Sequence, residues 1–93
     1  MGPAEEAILT VAEIVRDSAA MNDAALAGDF EEARFRASLV VAKADAAGHI
    51  DLVLAAAYTV DRLGPPGSTP RDGYGAGMLR VAAELDKIGF EPL

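Results

Sequence analysis

The sequence predicts an all-α fold, a small bundle of four helices, and three observations predict it. Apolar residues recur with a helical period over long stretches, and no alternating strand pattern interrupts them. Alanine, the best helix former, dominates the apolar half of the chain. Gly28, Gly48, Gly64 and Gly89 each follow such a stretch, where a glycine ends a helix. These stops divide a single domain, 1–93, into helices of about 4–27, 30–47, 50–63 and 70–88.

The first helix begins near Pro3, whose missing N–H is not needed in a first turn. Ala7, Ile8, Val11, Ile14, Val15, Met21 and Ala25 fall on one broad face, expected to turn inward. Glu6, Glu13, Asp17 and Asp23 fall mostly opposite, and Glu5 and Glu6 suit the positive end of the helix dipole. The corner Ala27-Gly28-Asp29-Phe30-Glu31-Glu32-Ala33 stops one helix and starts the next. Gly28 takes the left-handed stop, Asp29 the cap, and Glu32 the closing position of a capping box.

The second helix carries two apolar stripes. Phe30, Ala33, Ala37, Val40, Val41 and Ala44 form one; Phe35, Leu39, Ala42 and Ala46 form the other. Two stripes predict cover on two sides. The third helix is polar only at Asp51, Asp61 and Arg62, with Thr59 intermediate, and Leu52 to Tyr58 is continuously apolar. Such a helix is expected at the centre, sealed on nearly all sides by its own chain or a second copy, with Leu54 buried in the middle. Gly64-Pro65-Pro66-Gly67-Ser68 excludes regular structure. Thr69-Pro70-Arg71-Asp72 reads as a restart, with Thr69 as cap, Pro70 first and Asp72 closing the box. In the fourth helix Tyr74, Met78, Val81, Leu85 and Ile88 form a heptad-like stripe. Gly73, Gly75 and Gly77 weaken its start, and Phe90 is placed to fold back onto its last turn.

The corner Gly28-Asp29-Phe30-Glu31-Glu32-Ala33 resembles the turn and second-helix start of a tetratricopeptide repeat. Leu54-Ala55-Ala56-Ala57-Tyr58 follows at an offset that agrees with the 34-residue period of that family and resembles its next first helix. The match covers roughly Gly28 to Gly64. It departs from the family at Met21 and Ala24, in lacking a proline after the second helix, and in the Pro-Pro loop. The resemblance implies repeat-like antiparallel packing and an inner, peptide-binding face. Ser18, Asn22, Leu52 and Thr59 would lie on that face.

Composition narrows the function classes. Ninety-three residues, 52% hydrophobic but only 5% aromatic, bury one modest core. A core poor in large side chains is marginal alone, so a homo-oligomer is expected. A net charge of −7 disfavours nucleic acid and anionic membranes as partners. The absence of cysteine removes thiolate chemistry and disulfides. No apolar run reaches the ~18 residues of a membrane span, and no basic region precedes an apolar run at the start. A cytoplasmic protein is expected.

No catalytic, cofactor-binding or metal-ligating set emerges. His49, at a helix corner before Ile50-Asp51-Leu52-Val53, lacks the lysine and small residue that follow the histidine of phosphotransfer domains. Ser18 precedes Ala19 inside a helix, whereas the carrier serine of acyl carrier proteins starts one. Gly73-Tyr74-Gly75-Ala76-Gly77 resembles a phosphate loop but follows no strand and has no lysine. The pairs Glu5/Glu6 and Glu31/Glu32 are explained by helix starts. Arg34, Arg36 and Lys43 form the one basic cluster, expected to pair with nearby acids. The expectation is therefore a non-enzymatic module that binds a protein partner or itself. The alternatives are a carrier or phosphorelay domain and a small helical enzyme with its site at a dimer interface.

Overall fold

The computed structural model describes residues 3–89. They form α1 (Pro3–Leu26), α2 (Phe30–Ala47), α3 (Ile50–Leu63) and α4 (Tyr74–Gly89). Each helix packs on its neighbours in the chain, and α4 returns to α1, closing a ring about 20 Å across and 42 Å long. The α1–α4 side is the loosest, and the α2–α4 diagonal meets at one end, where the Phe30 and Tyr74 rings pack edge to face with centroids 5.7 Å apart. This is an all-α bundle, and no feature of its packing singles out a repeat.

Two corners are built alike. At the first, the Gly28 N–H donates to the Ala25 carbonyl (3.1 Å) and the Asp29 N–H to the Ala24 carbonyl (2.8 Å), with Gly28 at φ 77°. At the second, Gly48 donates to Asp45 (3.1 Å) and His49 to Ala44 (3.0 Å). This paired bonding answers two carbonyls that a helix end leaves free, and only glycine takes the left-handed position without a penalty. Asp29 caps α2, accepting from the Glu32 N–H at 3.2 Å. The box does not close, because the Asp29 N–H already serves Ala24 and the Glu32 carboxylate turns to Arg36.

Four further expectations need correction. The fourth helix starts at Tyr74, not Pro70: Thr69–Arg71 are irregular and Asp72–Gly73 form a turn. Thr69, Pro70 and Asp72 form no helix start there, because Gly73 at φ 100° breaks any helix running through it. Asp17, expected on a wet face, is only 3% exposed. The inward face of α1 is narrower than expected: Ile14, Met21 and Ala25 are buried, but Ile8 and Val15 are about half-exposed. Finally, α2 and α3 are covered on one side within the chain. Phe35 is 56% exposed, Ile50 67% and Leu54 58%, while Leu52, Ala55, Ala56, Thr59 and Leu63 are buried. A helix in a four-membered ring has two neighbours, so its outer third stays bare however apolar it is. Phe90 lies outside the described residues.

The α4 stripe packs as expected, with Val81 and Leu85 buried and Tyr74, Met78 and Ile88 packed against the core. Its glycines have a specific use. At Gly77 a Cβ would lie 2.5 Å from Thr59 Oγ1 and 3.2 Å from Thr59 Cα, so α3 and α4 cross with almost nothing between them.

Candidate interaction surfaces

Two polar clusters hold the helices so that the outer faces are fixed. In the first, Asp17 of α1 accepts from Arg36 Nη1 (3.0 Å) and Lys43 Nζ (2.7 Å) of α2, one cation on each carboxylate oxygen. Glu13 lies 3.7 Å from Lys43 and Glu32 3.5 Å from Arg36. The hydrogen bond from Lys43 to Asp17 chiefly raises the Lys43 pKa; desolvation opposes this, and the charges of Asp17 and Glu13 add to the rise. In the second cluster, Arg34 of α2 is 9% exposed. It donates to the carbonyls of Leu63 (2.9 Å), Gly64 (3.1 Å) and Ser68 (2.6 Å). Its partner Glu31 also accepts from the Gly67 N–H at 3.0 Å. A guanidinium thus closes the C-terminal end of α3 and ties down the Pro-Pro loop. The expected pairing of the basic cluster with acids is present, but the carbonyls that Arg34 serves, 29 to 34 residues away, carry no sequence signal.

Open grooves lie among the described residues. A groove of about 570 Å³ runs between α2, α3 and the loop, lined by Phe35, Ser38, Val60, Pro65 and Pro66 with Asp61 and Arg71 at its rim. A second, about 350 Å³, lies between α1 and α4, with Val15, Ala19, Ala82 and Leu85 as its apolar part. A third, about 270 Å³, is bordered by His49, Ile50, Asp51, Glu84 and Lys87. The His49 side chain occupies the cap position of α3 without making a cap bond.

The four residues expected on an inner face are separated. Ser18 and Asn22 border the α1–α4 groove, Ser18 being only 4% exposed. Asn22 Oδ1 is shut off from water and accepts no hydrogen bond among the described residues. Leu52 and Thr59 are closed in by the chain's own helices, and the Thr59 hydroxyl donates back to the Ala55 carbonyl at 2.9 Å. Among the described residues no group of three or more His, Asp or Glu is placed to share a metal ion. No described helix is long and apolar enough to cross a membrane.

Comparison of the chain with protein-family models, curated proteins and solved structures gives no match.

Proposed function

We propose that this chain is a non-enzymatic helical module that associates with itself or with a protein partner through its outer helix faces. One observation carries the reading. Among the described residues, seven of the fourteen buried apolar residues are alanines, while eight large apolar side chains lie exposed, among them Leu26 at 86% and Leu79 at 74%. Single exposed apolar residues are ordinary, but here they line up along helices. Phe35, Leu39, Ala42 and Ala46 share one outer face of α2, and Ile50, Leu54 and Ala57 share one of α3. The resemblance to tetratricopeptide repeats points the same way, toward protein binding. Leu52 and Thr59 are buried, so the reading draws on these outer faces and not on the resembled inner one.

Light scattering after size exclusion, from about 1 to about 500 µM, tests self-association at the affinities such faces support. The expected result is a mass that rises with concentration. The chain immobilised on a column, compared with its Ile50→Asp/Leu54→Asp variant, tests the partner half in native extract. A constant monomer mass together with no protein retained preferentially by the unaltered chain overturns the reading.

A further inference from the structure

The outer face of α1 carries a second pattern. Ile8, Ala12, Val15, Ala19, Asn22 and Leu26 follow one another at alternating intervals of four and three residues, the spacing of a coiled-coil seam. None of the six is buried by the bundle, apart from the partial cover of Asn22. The seam runs along the α1–α4 groove, and across it Leu79 lies on the same side of α4 as the groove residue Ala82. Beside the seam, on one flank, stand Arg16 and Asp23, both exposed and neither in an ion pair among the described residues. They carry opposite charges two helical turns apart.

We propose that this seam pairs with the same seam of a second copy, antiparallel about a two-fold axis near Ala19 to Asn22. Arg16 of each copy then faces Asp23 of the other. This rests on the self-association half of the reading above and names its surface. A two-fold interface requires self-complementarity, and the seam has it, which is why the occupant is a second copy. Placing the axis between Arg16 and Asp23 satisfies both charges twice. It sets Ala19 opposite Asn22, small against polar, and Val15 opposite Leu26, medium against large. The outer faces of α2 and α3 lack this property: their exposed charges include Asp45, Asp51 and Asp61, which a two-fold would bring against one another.

Charge exchange tests the pairing. Arg16→Asp and Asp23→Arg are each expected to raise the dimer dissociation constant about tenfold, and the double exchange to return it to within about threefold. Asp23→Arg is the sharper variant. It loses one negative and gains one positive charge, taking the net from −7 to −5. Net repulsion alone would then make it associate more tightly. Orientation is read from the cysteine-free chain. With a short bismaleimide, Ala19→Cys is expected to cross-link and Ile8→Cys is not, whereas a parallel pair would link both. Far-UV circular dichroism of each variant confirms that the exposed substitutions leave the bundle folded. If the chain associates but the reversals leave the dissociation constant unchanged, the seam is wrong and self-association stands on another face. A constant monomer mass overturns both.

Discussion

Gly77 and Gly75 sit two residues apart in α4, and the same substitution acts oppositely at the two. An alanine Cβ at Gly75 meets nothing within 4 Å, so Gly75→Ala keeps only the gain in helix propensity, about 0.5–1 kcal/mol. At Gly77 the same gain is outweighed. The new methyl meets Thr59 Oγ1, Tyr58 Cδ1 at 3.0 Å and Thr59 Cα. The Thr59 hydroxyl is tied to Ala55 and its Cα is backbone, so neither gives way cheaply. Overpacking of this kind costs ~1–3 kcal/mol, and Gly77→Ala is expected to lower the melting temperature while Gly75→Ala raises it. A Gly77→Ala chain as stable as Gly75→Ala would show that α3 and α4 do not cross so closely. Arg34 is the other residue on which much depends. Arg34→Lys keeps the charge, but a compact ammonium replaces a planar fork whose Nε, Nη1 and Nη2 reach three carbonyls and Glu31 together. The expected loss is about 2 kcal/mol, and more for Arg34→Ala, which leaves the end of α3 without its donor. Urea melts measure the loss, and protease cleavage within residues 64–70 should quicken in step with it.

Helices are legible in the sequence wherever their signals are local. The Gly28 and Gly48 corners can be read because a glycine stop and the residue after it bond only to the preceding turn. The start of α4 defeats such a reading for the opposite reason. Thr69-Pro70-Arg71-Asp72 has the chemistry of a cap, but the loop before it is anchored by Arg34, and the Arg71 N–H donates to the Arg62 carbonyl at 2.7 Å. A long-range anchor overrides a local preference. Asp17 is illegible for the same reason, since its two cations lie on a different helix. That α1–α2 clamp gives a pH dependence of definite sign. The Lys43 pKa in the folded chain lies above its ordinary 10.5, chiefly because Nζ donates to Asp17. The stabilisation is therefore complete below pH 10.5 and is lost as pH rises from there through the raised value. Melts of the wild type and of Lys43→Met should differ at pH 8 and converge at the alkaline end. A gap that stays constant through that range would mean Lys43 acts by its methylene packing and not by its charge.

At the scale of the whole molecule, charge and apolar surface pull against each other. The second stripe of α2 and the apolar run of α3 are visible in the sequence, because periodicity is a property of one helix. Which stripe stays bare depends on how many neighbours each helix acquires, and Leu54 can be placed only once the ring is closed. Association through those bare faces must overcome net charges of −7 on each copy. Two bundles about 20 Å thick lie with centres roughly 20 Å apart when side by side. Treated as points in water, their charges repel by ~4 kcal/mol at about 20 mM salt, where the screening length is ~20 Å. At about 0.3 M that length falls to ~6 Å and the repulsion to below ~0.5 kcal/mol. The two exposed Arg16–Asp23 pairs of the proposed dimer are worth only ~0.2–1 kcal/mol each, and salt weakens them too. Relief of the repulsion outweighs loss of the pairs, so added sodium chloride should tighten association, by about tenfold or more over that range. Sedimentation equilibrium at the two salt concentrations measures this. Weakening on addition of salt would show that ion pairs, and not the bare apolar faces, hold the copies together.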